Sequence, residues 1–112
     1  MLSRFARGGG TLYDLEFLAD DHGRRVAAFG FHAGFAGAAA GLLAFAARKE
    51  GSNETVGPLE PYPNEAGMVK DVKDKVSASG KNIGEVKALV MGALGRCGRG
   101  AVDLFRKVGL TE

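Results

Sequence analysis

At 112 residues, with 46% apolar and 25% charged side chains, the chain has the size and composition of one ordinary globular domain. Fifteen basic against thirteen acidic residues leave a formal charge of +2, too small and too evenly spread for the basic stripe that nucleic-acid binding needs. The single cysteine, Cys97, excludes an internal disulfide, and no Cys/His cluster has zinc spacing, so the chain suits a reducing compartment, the cytosol, without a structural metal.

Met1 to Arg7 is basic and contains Ser but no acid, the composition of a mitochondrial presequence, yet it is very short for one. It has no apolar core with a small-residue cleavage site, so secretion is not supported, and Met1 reads equally as an internal start. Thr11 to Phe31 then reads as a β-hairpin. Leu12, Tyr13, Leu15, Phe17 and Leu18 form the first apolar run, Asp20-Asp21-His22-Gly23 is turn chemistry, and Val26 to Phe29 is apolar again. Strand alternation puts Tyr13, Leu15 and Phe17 on one face and Asp14 and Glu16 on the other. On its residues alone Glu16 is either a solvated surface charge or, if its face lines a cleft, a carboxylate that sets a neighbour's pKa.

Val26 to Ala47 carries no formal charge over 22 residues and is bracketed by Arg24-Arg25 and Arg48-Lys49, so a transmembrane helix has to be weighed. The stretch is long enough, but it is mostly Ala and Gly, and basic residues on both flanks give no orientation signal. A soluble helix from about Ala33 to Lys49 is the favoured alternative. Gly30, Gly34, Gly37 and Gly41 recur along one face and allow close backbone approach, to a sheet or a ligand in a soluble fold, or to a second helix in a membrane. His32 lies beside this helix, where a lone histidine is more often structural than catalytic.

Glu50 to Pro63 is polar and rich in Gly and Pro, and reads as a connecting loop. Asn64 is placed to cap a helix with Glu65 in its first turn. Met68, Val69, Val72 and Val76 line its apolar face, and Lys70, Asp71, Lys73, Asp74 and Lys75 form a solvated one. Ser79-Gly80-Lys81-Asn82 closes it.

Val86 to Gly92 is a short apolar run of the kind that forms strands buried in parallel sheets. Gly92-Ala-Leu-Gly95-Arg96-Cys97-Gly98-Arg99-Gly100 follows at once, and then a helical pattern with Val102, Phe105 and Val108 on one face. Strand, glycine turn and helix in that order form the phosphate-cradling opening of a Rossmann domain. The glycines let the backbone approach a pyrophosphate, and the free N–H groups and dipole of the helix N-terminus stabilise its charge. The spacing is G-x-x-G-x-x-G rather than G-x-G-x-x-G, and a purely structural glycine turn is the competing reading. Arg96 and Arg99 are candidates to contact phosphate, with a solvated charge as the other reading of Arg99, whereas Cys97 has no His or Asp pattern beside it to make it a nucleophile.

Five blocks in order, Gly10-Thr-Leu-Tyr-Asp-Leu-Glu-Phe-Leu18, Gly23-Arg-Arg-Val-Ala-Ala-Phe-Gly30, Ala33-Gly-Phe-Ala-Gly-Ala38, Pro61-Tyr-Pro-Asn-Glu65 and Gly92-Ala-Leu-Gly-Arg-Cys-Gly98, closely resemble the fungal NAD-dependent, lysine-forming saccharopine dehydrogenases. The resemblance implies an α/β fold, a fragment of a two-domain, alanine-dehydrogenase-like enzyme. Residues 1–50 would be part of the catalytic (substrate) domain, 51–84 a linker and interdomain helix, and 85–112 the truncated start of the NAD-binding Rossmann domain. It also implies the reaction: saccharopine is oxidised at its secondary amine, hydride passes to NAD, and the imine is hydrolysed to lysine and 2-oxoglutarate, the last step of lysine biosynthesis by the α-aminoadipate route. By position, Glu16 resembles the family's active-site glutamate, with a supporting catalytic role. Phe29 resembles a substrate-binding residue, and Arg25, Gly95 and Arg96 resemble cofactor-binding ones. The family's catalytic lysine and histidine fall before Met1 and its ribose-binding acid after Glu112, so the expectation is a cytoplasmic, monomeric enzyme of which this piece is inactive alone. A noncatalytic nucleotide-binding fragment and a membrane-inserted Gly/Ala helix remain as alternatives. His32 stands where the family has an aromatic residue.

Overall fold

The computed structural model describes residues 2–48 and 58–110. Four α-helices carry the structure: α1 Leu2–Gly8, α2 Gly30–Ala47, α3 Glu65–Ala78 and α4 Arg96–Val108. Single 3-10 turns lie at Leu15–Phe17 and Ile83–Glu85. The radius of gyration is 18.5 Å, against about 13 Å for a compact domain of this length, because only α2, α3 and α4 share a core.

The β-hairpin expected over Thr11–Phe31 does not form as two strands. Among the described residues one antiparallel bridge, Ala19 with Arg25, is all that pairs, and Leu15–Phe17 winds into the 3-10 turn. Two local carboxylates decide this. Asp14 accepts the Glu16 N–H at 2.9 Å and curls the chain, while the Asp20 side chain accepts the N–H groups of His22 (2.9 Å) and Arg24 (2.8 Å) and fixes the predicted turn. The strand alternation that put Glu16 opposite Tyr13, Leu15 and Phe17 is therefore lost. Tyr13 and Phe17 stand in solvent, with no second layer to cover a sheet face.

Helix α2 starts three residues earlier than its sequence suggests and ends at Ala47. It is long and apolar enough to cross a membrane. Phe35, Ala39, Leu42, Leu43 and Ala46 are nevertheless buried, packed with Val72 and Val76 of α3 and with Leu104 and Val108 of α4, as in the core helix of a globular fold. Lys81 finishes α2 by donating to the Phe45 and Arg48 carbonyls (3.4 and 3.3 Å) with its ammonium 4.6 Å from the Phe45 ring centre, a cation at the negative end of the helix dipole.

Helix α3 follows its pattern closely: the Asn64 side chain accepts the Gly67 N–H at 2.8 Å, and Val72 and Val76 are fully buried. Its charged face closes on itself through Lys70–Asp74 and Lys75–Asp71 pairs. The loop expected over Glu50–Pro63 lies partly outside the described residues, and its last part, Pro58 to Pro63, has no regular structure.

Helix α4 turns its Gly100, Leu104 and Val108 side to the core, so Val102 and Phe105 sit beside the seam rather than on it. Its end is a Schellman closure. Gly109, at φ +100°, donates to the Phe105 and Arg106 carbonyls, and the Leu110 N–H donates back to Phe105. Lys107 ties the three core helices together, bonding Glu65 of α3 at 2.6 Å and Asp103 at 2.8 Å and lying 5.3 Å from the Phe35 ring of α2. These pairs are exposed, so Lys107→Met should lower the melting temperature only slightly, and the difference should vanish at high salt, as thermal denaturation at two ionic strengths would read.

The strand expected at Val86–Gly92 runs without regular structure, and no ladder partner pairs with it among the described residues. Leu89 and Met91 are 89% and 90% exposed. A buried parallel strand needs strand neighbours on both edges as well as helices to cover its faces, and among the described residues no strand flanks this ribbon, although α2 and α4 lie beside it.

Candidate functional site

The glycine turn forms even though its strand does not pair. Gly92 adopts φ +77°, a conformation open to glycine, and its carbonyl accepts the Gly95 N–H at 2.9 Å. Gly95 is the N-cap of α4 and offers no side chain, while its carbonyl accepts the Arg99 N–H at 2.9 Å. A Cβ on Gly98 would lie 2.6 Å from the Ala93 Cα and 2.7 Å from the Gly92 carbonyl carbon, so the turn folds down on the first turn of the helix only because Gly98 lacks one. Each glycine of the G-x-x-G-x-x-G spacing thus has its own task.

Two further glycines bring α2 against this turn. A Cβ on Gly34 would overlap the Cys97 carbonyl and lie 2.7 Å from its Cα, and one on Gly100 would overlap the Phe31 carbonyl and lie 2.9 Å from the Phe35 nitrogen. A Cβ on Gly30 would come 2.9 Å from the Arg96 Cβ. The two backbones therefore touch along their first turns and run in the same direction, so the two helix N-termini open side by side.

Neither N-terminus is capped by a side chain or carries an acid in its first turn; the cap residues are Phe29 and Gly95. The first N–H groups of both helices have no carbonyl four residues back, and the two dipoles add where Arg96 begins α4. That arrangement suits an anion. Gly30, next to the exposed Phe29, is brought against Arg96, next to Gly95, although the two pairs are distant in sequence. The Cys97 backbone is seated on Gly34, while the residue itself is an exposed free cysteine whose sulfur would lie 3.3 Å from a Cβ on Gly30. His32 is exposed and makes an edge-to-face contact with its neighbour Phe31, ring centres 5.6 Å apart.

Arg25 and Glu16 form a second group. The Ala19–Arg25 bridge swings Arg25 over the 3-10 turn, where its guanidinium donates to Glu16 at 2.7 Å and to the Ala27 carbonyl at 3.5 Å. Both side chains remain about half exposed. Glu16 is thus an exposed carboxylate paired with a cation, and none of the described clefts is lined by it. Sequence reasoning missed the α2–α4 crossing, although glycines at i and i+4 in α2 and Gly100 in α4 were its signal. The partner of such a stripe is a tertiary property that periodicity does not name.

A cleft of about 610 Å³ between the Val86–Ala93 ribbon and α4, lined by Val90, Val102, Phe105 and Leu110 among others, lies apart from these residues. Among the described residues no group of His, Cys, Asp or Glu could hold a metal ion.

Three relatives bear on this arrangement. The saccharopine dehydrogenase (NAD+, L-lysine-forming) of Candida glabrata is 54% identical over 114 aligned residues, covering all of this chain and 31% of the relative. Its counterpart in Candida albicans is 51% identical, with all of this chain and 32% of the relative covered. That of Neurospora crassa is 52% identical, with all of this chain and 30% of the relative covered. Along its whole length the chain is similar to these saccharopine dehydrogenases. It spans about a third of the length of the curated relatives it matches. No protein-family model matches it.

Proposed function

We propose that this chain is the part of a saccharopine dehydrogenase that carries the phosphate-cradling turn for NAD+ and one edge of the substrate cleft. The enzyme oxidises saccharopine with NAD+ to L-lysine and 2-oxoglutarate, in the cytoplasm. The observation that carries this is the identity of 51–54% along the whole chain to relatives named for that activity. The uncapped helix ends at Gly95 and Arg96 support it. The cradle has no side chain where a pyrophosphate would lie, two helix dipoles point into it, and Arg96 adds a positive charge.

The domain division follows: residues 1–50 belong to the substrate domain, 51–84 join the domains, and 85–112 begin a Rossmann sheet whose first strand is the Val86–Met91 ribbon. In that α/β setting the ribbon gains ladder partners, and the Thr11–Phe31 segment gains the neighbours it needs to extend into a hairpin. Bound NAD+ supplies the hydride acceptor. Gly95 and the N–H groups of α4 hold its pyrophosphate, Arg96 and Arg25 add cationic contacts, and Phe29 offers an apolar surface to the substrate. Glu16, held by Arg25, fixes a negative charge at the cleft edge, where it sets the protonation of neighbouring groups.

The test is a chimera in which this chain replaces the matching segment of the Candida glabrata enzyme. Saccharopine-dependent NADH formation is expected from the chimera and not from the 112-residue polypeptide alone. Glu16→Gln in the chimera should lower kcat by roughly 10- to 100-fold with little change in the KM for NAD+. A chimera that folds but does not oxidise saccharopine would overturn the proposal, as would turnover by the isolated chain.

A further inference from the structure

Pro58 to Pro63 has no regular structure, yet it does not hang free of α3. The Tyr62 hydroxyl donates a short hydrogen bond to Asp71, one and a half turns into the helix, and Asp71 in turn accepts the Lys75 ammonium at 2.8 Å. Tyr62 is half-buried, and its segment closes a cleft of about 430 Å³ against Gly67, Asp71 and Lys75. Three prolines stiffen this strap and remove donors from it, and the Tyr62 phenol reaches across to the helix. Tyr62 is not used by the site described above, and the pattern of α3 gave Asp71 only a solvated role.

We propose that Tyr62 is a latch: by donating its phenolic hydrogen to Asp71 it straps Pro58–Pro63 onto α3, and loss of that hydrogen releases the strap while the helix stays folded. The latch sets the angle at which the chain enters α3. It is independent of any cofactor.

The charges around the latch make it pH-dependent. The hydrogen bond to Asp71 raises the Tyr62 pKa above the ordinary phenol value, and Lys75, followed by Tyr62, lowers that of Asp71. Asp71 also raises the Lys75 pKa. Lys70 and Asp74 lie on the same helix face, paired with each other, and Glu60 lies on the strap. A raised phenol pKa means that the strap is held at neutral pH and lost as pH rises through the Tyr62 transition. A lowered carboxyl pKa means that it is also lost as pH falls through the Asp71 transition.

Backbone NMR order parameters of Leu59, Glu60 and Tyr62 test the latch. Tyr62→Phe keeps the ring and removes the donor. It should drop these amides from about 0.8 to below about 0.6 while Val72 and Val76 keep their values. Asp71→Asn should loosen the strap in the same direction. In a Tyr13→Phe background, where Tyr62 is the sole tyrosine, the phenol should ionise above the ordinary range and return towards it in Asp71→Asn. A Tyr62→Phe strap as rigid as the parent's would overturn the latch, and so would a phenol that titrates in the ordinary range. Loss of α3 together with the strap in Tyr62→Phe would overturn it too, because the helix must survive release.

Discussion

Substituting alanine for Gly100 is expected to destabilise the chain by about 2–4 kcal/mol. The added methyl would overlap the Phe31 carbonyl and crowd the Phe35 nitrogen at 2.9 Å, and both are backbone atoms of α2 that cannot rotate away. The helices would have to separate, which opens the packing of Phe35 against Leu104 and weakens the core they share with α3. The sign is informative, because glycine to alanine inside a helix ordinarily stabilises it by up to about 1 kcal/mol. Gly37 is the control. A Cβ there meets nothing within 4 Å, so Gly37→Ala should be neutral or stabilising. Urea denaturation followed by helical circular dichroism separates the two, and equal stability of the variants would show that α2 and α4 do not touch through Gly100.

Gly98→Ala is expected to act on the cradle more than on the core. Its methyl would run into the Gly92 carbonyl and lie 2.6 Å from the Ala93 Cα, so the turn has to lift off the first turn of α4 at a cost of roughly 1–3 kcal/mol. The lifted turn no longer aims its N–H groups with the helix dipole. In the chimeric enzyme the KM for NAD+ should therefore rise by at least about tenfold, while the KM for saccharopine changes little. Steady-state kinetics with each substrate varied in turn gives the answer, and an unchanged KM for NAD+ would remove the pyrophosphate from this turn.

What the sequence made legible was local. Asn64 as a cap, the Val72 and Val76 face, the Asp20 turn and the glycine turn at Gly92–Gly98 each depend on residues within a few positions of one another, and each appears in the structure. Elements that need distant partners failed. The hairpin and the Val86–Gly92 strand were read from alternation and apolar content, which describe a sheet's surfaces but do not provide its neighbours. Local carboxylates took Leu15–Phe17, and the Val86–Met91 ribbon stayed single. The glycine series of α2 announced close approach without naming the Cys97 and Gly100 backbone as the object. The Arg25–Glu16 pair was legible only as two separate resemblances, since the bridge that joins them spans a turn.

That single ribbon has a consequence for anyone handling the polypeptide. Lys87-Ala-Leu-Val-Met91 pairs with no strand among the described residues and offers three nearly bare apolar side chains, if Leu94 just beyond it is included with Leu89 and Met91. Such a segment is a template for cross-β stacking between molecules, and Lys87 is its one gatekeeping charge. Concentrated stocks are thus exposed to fibril growth from this point, and a second charge at Leu89 is the most economical way to keep them clear.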